Sequence, residues 1–366
     1  MPPEVTYWTG VWRPGFEALS NEVATVRAAL APGAPVVSFS GGQRTKLALG
    51  DGVIMLSLRR RMVLRALAVG IEPFGAITHA WGAIDDWGFL RSLGRRPLVF
   101  TVAFDAELRA PAHYAGVSHF VTESEGLAQR LRTVGVNDTR LSVVYPGVDL
   151  AVFAPPPGQS AQPQRLRVVF ASAPAHVTEF SDRGIPLLVE LARACPEIEV
   201  VLLWREWGDG DAATRAFNAL NPPGNVTRER LGTRTMAEVY QAAHVVACIY
   251  ADGFGKTTPN SVVEGLACGR PAIVGRACGV ADLVVAAGAG HAVTTVDEAV
   301  AAMRALQADW VAASHRARRL AERHFALETF VSAYRDVYAA LGQRRANGHA
   351  ISGERIRVTV RPPWRR

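Results

Sequence analysis

Residues 252–279 read DGFGKTTPNSVVEGLACGRPAIVGRACG, and this stretch decides the fold. A strand-forming run ends at Tyr250 and gives way to a glycine loop. Thr257, Thr258 and Pro259 then lead into a helical run over 261–267, with Asn260 or Thr258 as the expected N-cap. Backbone N–H groups at such a turn, with the positive end of a helix, suit a phosphate. Glu264 lies one turn into the helix. A carboxylate beside a phosphate site suits a pair of hydroxyls, as on a ribose. A further strand over 271–274 completes a strand–loop–helix–strand unit of a parallel α/β sheet, whose ligands sit at the carboxyl ends of its strands.

The same rhythm runs outward in both directions. Residues 5–8, 36–39, 53–56, 76–78, 98–102, 119–122 and 141–144 read as strands, and 17–30 as a helix. The pattern breaks at Tyr145-Pro146-Gly147, and 155–160 (PPPGQS) reads as a linker. It restarts with strands at 167–171, 199–204, 226–230, 244–250 and 271–274, and helices at 183–194, 235–243 and 261–267. Residues 295–342 read as helix throughout, with Thr295 as N-cap. Four segments are therefore expected: an N-terminal α/β domain over 1–155, a second over 156–326, a helix over 327–343 packing back on the first, and a basic tail over 344–366. The cleft between two such facing domains is the expected site.

Composition narrows the function classes. The net charge of +7 divides into +2 over 1–150, −1 over 151–343 and +6 over 344–366. The basic balance thus belongs to the tail, which argues against a nucleic-acid binder with a basic folded face. A second basic cluster, Arg59, Arg60, Arg61 and Arg65, lies on a helical run and suits peripheral contact with an anionic membrane. Of 40 basic residues only Lys46 and Lys256 are lysine, and a retained Lys among so many Arg marks a place for a compact point charge. Four cysteines without C-x-x-C spacing exclude a zinc or disulfide framework and fit a reducing cytoplasm. No run reaches transmembrane length, and MPPEVTYWTG has no signal-peptide pattern. No G-x-G-x-x-G follows the first strand, and neither a P-loop nor a G-x-S-x-G elbow is present.

The 252–279 segment resembles the donor-site signature of retaining glycosyltransferases of the GT-B fold, family GT4 (glycosyl transferases group 1). Glu264-Gly265-Leu266-Ala267-Cys268-Gly269-Arg270-Pro271 matches the second half of its Glu-(seven residues)-Glu motif, and Pro259-Asn260-Ser261 a common middle. The turn Val144-Tyr145-Pro146-Gly147-Val148-Asp149 with Phe153 and Pro155 is similar to the family's interdomain segment. Trp8-Thr9-Gly10 and Pro14-Gly15 are similar to its glycine loop facing the acceptor. The resemblance spans about residues 4–342, specific in the second half and weak in the first.

By that resemblance the fold is GT-B, two Rossmann-like domains, and the activity is transfer of a sugar from a UDP- or GDP-sugar to a hydroxyl acceptor with retention. Glu264 takes the place of the ribose ligand. Arg183-Gly184 resembles the Lys-Gly that binds the diphosphate, Leu231 opens the base-reading loop, and Gly255, Lys256, Thr257, Thr258, Asn260 and Ser261 cradle the distal phosphate. Gly10 and Gly15 belong to the acceptor side. No cofactor beyond the nucleoside diphosphate sugar and no metal is implied. The acceptor is a saccharide, a lipid-linked or a small-molecule hydroxyl. Three departures stand out. Lys256 occupies the place of the first glutamate and would bind phosphate or a sugar carboxylate. The arginine after the first strand of the second domain is replaced by Ala171-Ser172-Ala173-Pro174. Ala103 stands where a histidine is common, which leaves His79 and Asp105 beside Lys256 as candidate catalytic groups. A degenerate, non-catalytic homologue and a UDP-N-acetyl-sugar epimerase of the same fold are the alternatives.

Overall fold

β-branched and aromatic runs alternating with helices build two parallel sheets in the computed structural model, which describes residues 5–40, 49–57, 61–85, 87–158, 161–171, 177–204 and 210–346. Lys46, the tail beyond 346, Arg59, Arg60 and residues 172–174 lie outside the described residues. The chain forms two compact units, Met1–Val144 with Val331–Arg366, and Tyr145–Phe330. Residues 145–155, expected in the first domain, therefore belong to the second unit.

The sheet of the first unit comprises β1 (Val5–Thr9), β2 (Val36–Ser40), β3 (Leu49–Gly50), β4 (Val53–Ser57), β5 (Ile77–Ala83), β6 (Leu98–Phe104), β7 (His119–Thr122) and β8 (Leu141–Val143). Their order is β3-β4-β2-β1-β5-β6-β7-β8, and every pairing except β3 with β4 is parallel. Helices α1 (Ala18–Leu30), α2 (Arg61–Ile71), α3 (Trp87–Leu90) and α4 (Glu125–Thr133) connect the strands. Trp8, Val37, Phe100, Val102 and Phe120 build the core of one face. The central strands β1, β5 and β6 are buried on both faces, as parallel strands are when crossovers cover them.

The second unit repeats the scheme. Strands β9 (Arg167–Phe170), β10 (Glu199–Trp204), β11 (Val226–Arg230), β12 (Val245–Cys248), β13 (Ala272–Gly275) and β14 (Gly290–Val293) lie in the order β11-β10-β9-β12-β13-β14, all parallel. Helices α5 (Ile185–Ala194), α6 (Gly210–Ala219), α7 (Met236–Gln241), α8 (Asn260–Ala267) and α9 (Ala281–Ala286) join them. Strand order reverses between β9 and β12, so the loops after these strands part to either side and leave room for a ligand. β14 is absent from the sequence reading because GHAV, with a glycine and an alanine, carries too little apolar signal.

The helical C-terminus is α10 (Val296–His324) followed by α11 (Leu327–Ala346), not one continuous helix. Thr295 caps α10 with a reciprocal box to Glu298, as expected. The break has a tertiary cause. Val148 pairs strand-like with Ala326, donating to the Phe325 carbonyl at 2.8 Å and accepting from the Leu327 amide at 3.0 Å. Those bonds take the backbone that would have continued the helix. From Val331 onward α11 belongs to the first unit, where Tyr334 and Tyr338 are fully buried. Among the described residues no helix is long and apolar enough to cross a membrane.

Candidate functional site

The reversal between β9 and β12 is where the sequence-predicted binding residues gather. Gly184 sits at φ +72°, at the N-cap of α5 with Pro186 just inside the helix. A Cβ there would run into the carbonyl oxygen of Ile249, at the end of the β12 segment. Only glycine permits that approach, and it draws Arg183 against the loop after β12. The Arg183 guanidinium lies over the rings of Phe254, at 5.2 Å, and Tyr250, at 5.8 Å, with the Tyr250 hydroxyl 3.5 Å from Nη1. Its Nε and Nη2 both donate to Glu179 Oε2, at 3.1 and 2.8 Å. The Ala251 amide donates to the Asp182 carbonyl at 2.7 Å, which closes the two loops on one another.

The glycine loop turns twice through left-handed backbone, at Gly253 (φ +73°) and Gly255 (φ +71°). Lys256 is buried, 8% exposed, and its Nζ donates to Asn260 Oδ1 at 2.9 Å and to the Thr258 carbonyl at 3.3 Å. The Thr257 carbonyl accepts from the Gly279 amide at 2.6 Å, which ties the loop to the turn after β13. Thr258 is fully buried. The expected cap is corrected: Pro259 occupies the N-cap of α8 with no side-chain cap bond, and Asn260 lies inside the helix with its side chain on Lys256. Ser261, half-buried, follows in the first turn. Glu264 is half-buried on the next. Its neighbour Gly265 lets α8 settle onto β12, since a Cβ there would lie 2.8 Å from Val246. Leu231 follows β11 and packs its side chain on the core of this unit, while its carbonyl accepts from the Arg234 amide at 3.2 Å.

The remaining candidates belong to the first unit. Asp105 follows β6. Its carboxylate accepts from the Ala106 amide at 2.9 Å and pairs with Arg130, while 27% of the side chain stays exposed. Gly10 and Gly15 stand in the loop after β1, where the Gly15 amide donates to Asn21 Oδ1 at 2.6 Å and Gly15 adopts φ +83°. Glu17 caps α1 behind them. His79 has a different setting. It lies fully buried on β5, with Nδ1 2.6 Å from the Tyr338 hydroxyl, Nε2 2.8 Å from Thr101 Oγ1 and its ring stacked on Trp81. Burial holds its pKa well below the ordinary range, so it is a neutral interior side chain seating α11. That geometry is structural and gives His79 no path to a substrate.

The sequence reading missed Glu179, Tyr250 and Phe254. The i,i+4 spacing of Glu179 with Arg183 was the available signal, while Tyr250 and Phe254 lie in a loop where spacing says nothing about contact. Among the described residues no group of three or more His, Cys, Asp or Glu is placed to hold a metal ion.

Comparison with known proteins follows the same lines. The family described as Glycosyl transferases group 1 matches residues 187–309. D-inositol 3-phosphate glycosyltransferase of Mycolicibacterium vanbaalenii is 26% identical over 292 residues, 67% of this chain and 62% of that protein. Its counterpart in Mycolicibacterium smegmatis is 28% identical over 308 residues, 72% of this chain and 66% of that protein. The chain thus spans less than two thirds of the length of these relatives. Among solved structures, Anabaena Alr3699/HepE in complex with UDP-glucose superposes with TM-score 0.69 at 16% identity, covering 92% of this chain and 100% of that one. A glycosyltransferase from Rickettsia africae gives 0.69 at 11% identity, covering 93% and 99%.

Proposed function

Because residues 187–309 match the family described as Glycosyl transferases group 1 and the chain folds as the GT-B glycosyltransferases do, we propose that it transfers a sugar from a nucleoside diphosphate sugar, UDP- or GDP-linked, to a hydroxyl acceptor with retention at the anomeric carbon. The acceptor is a glycan, a glycolipid precursor or a small metabolite. One observation carries this reading: Arg183-Gly184 locked against the loop after β12, with Glu264 on the helix that the loop opens. Breaking the sugar–diphosphate bond leaves negative charge on the leaving oxygen, and catalysis must meet it there. Arg183, Lys256 and the α8 N-terminus supply positive charge around that position without calling on a metal. Glu264 accepts from the ribose hydroxyls, the Leu231 loop reads the base, and Asp105 with the Gly10–Gly15 loop serves the acceptor. The departing phosphate oxygen takes the acceptor proton on the same face, which gives retention.

The test is a thermal-shift and calorimetric series against UDP, GDP, ADP and dTDP. A diphosphate at a hundredfold excess over Kd raises stability by about 2.7 kcal/mol. Stabilisation by one of them, lost in Glu264→Ala, supports the donor site and names the base. No stabilisation by any removes the reading. A second reading, a binding protein without turnover, is favoured by Lys256, a buried cation in the place of a carboxylate. Nucleotide binding without hydrolysis or transfer of any sugar donor would select it.

We also place the protein at the cytoplasmic face of a membrane. Phe74 is 74% exposed and Val69 53%; Arg65 is exposed one turn before Val69 on α2, and Glu72, the one acid between Arg65 and Phe74, is buried and paired with the exposed Arg95. Apolar anchors within a cationic rim suit anionic lipid. Binding to phosphatidylglycerol vesicles, abolished by Phe74→Asp, supports this. Equal binding by the variant removes it.

A further inference from the structure

We propose that Glu179 is a built-in competitor for Arg183: a carboxylate that holds the arginine fork until a diphosphate displaces it, and that thereby sets donor affinity and speeds nucleotide release. This rests on the reading of Arg183 as a diphosphate ligand. A single oxygen, Glu179 Oε2, bridges Nε and Nη2 at 3.1 and 2.8 Å. That edge of a guanidinium is one of those a phosphate takes with two parallel hydrogen bonds.

The contact is not what builds the turn. The Arg183 amide donates to the Glu179 carbonyl at 2.9 Å, and the Gly184 amide to the Ser181 carbonyl at 2.8 Å. Tyr250 and Phe254 hold the guanidinium plane from the side. The Arg183 side chain is 11% exposed and Glu179 26%, so the acid is the partner with room to swing into water. A carboxylate and a phosphate both drawn to one edge would stand only ~5 Å apart, where like charges at a partly screened site repel by enough to change affinity about tenfold or more. Diphosphate binding therefore moves Glu179 outward, and its return helps expel the product.

The experiment is calorimetric titration of the full chain with UDP, GDP and inorganic pyrophosphate, for wild type, Glu179→Gln, Glu179→Met and Glu179→Asp. The two neutral variants should bind a diphosphate about tenfold more tightly, and Glu179→Asp should stay near wild type. In steady state the neutral variants should lower the donor KM and slow nucleotide release. A purely structural role would move affinity the other way, so the direction decides. Unchanged or weaker binding in both neutral variants overturns the proposal while leaving Arg183 in its role. Failure of the wild type and every variant to bind any diphosphate overturns both.

Discussion

Gly184 shows what a single residue does here. Its φ of +72° and its closeness to the Ile249 carbonyl leave no space for a methyl group. Gly184→Ala should cost about 2 kcal/mol from the left-handed backbone and the backbone clash together. It should also pull Arg183 away from Tyr250 and Phe254. Chemical denaturation reads the first effect and diphosphate titration the second; a stable variant with intact binding would separate Arg183 from this glycine. Lys256 is a bet of another kind, since its ammonium is buried on the oxygens of Asn260 and Thr258. Lys256→Ala should lower sugar transfer without unfolding the chain. A variant with full turnover would mark Lys256 as a loop fastener. At this scale Lys256 stood out by its charge type and Glu264 by its place on the helix after the glycine loop, while Arg183 was singled out by the family resemblance alone. Glu179 and the two rings were not, because their relevance depends on loops that meet only in the folded sheet.

Helices and strands were mostly legible, for a physical reason: buried parallel strands are apolar runs bounded by loops, and β10 matches the sequence reading residue for residue. The N-cap of α10 was visible as Thr295, and the structure adds its reciprocal bond with Glu298. Thr295→Ala should lower stability by about 1 kcal/mol, measurable as a shift in the urea midpoint; no shift would mean that the first turn is held by packing alone. The return of α11 to the first domain was expected, but the residues that seat it were not visible. Tyr338 and His79 are 259 residues apart in sequence and 2.6 Å apart in space. Tyr338→Phe leaves a buried imidazole nitrogen without that bond and should cost about 1–3 kcal/mol. Trimming of the C-terminal helix by protease should quicken in the same variant.

For the whole molecule, the buried His79 and the half-buried His244 predict the acid response. His79 is held well below the ordinary range, and desolvation, with nearby Arg270 and Arg167, pushes His244 down to about 4. Each native pKa lies below the unfolded value near 6.5. The unfolded chain therefore binds more protons as pH falls, and stability declines from about pH 6.5 toward 4 while staying flat above. His244 alone contributes at most about 3 kcal/mol to that decline. Unfolding free energies in a pH series should show the slope, and His244→Gln should flatten it; an unchanged slope would place the titration elsewhere.

Two parallel α/β domains, the proline-glycine turn at 145–147 and a helical run carrying Glu264 were determined by the sequence itself, because strand apolarity, glycine loops and helix spacing are local properties that survive without neighbours. The tertiary structure alone decided the break at Phe325–Ala326, the burial of His79 and the closing of Tyr250 and Phe254 over Arg183. Each depends on long-range pairing or on two loops converging at the strand-order reversal of one sheet. No window of sequence contains both partners, and whether a polar side chain faces water or an interior hydroxyl is settled only when the chain closes around it.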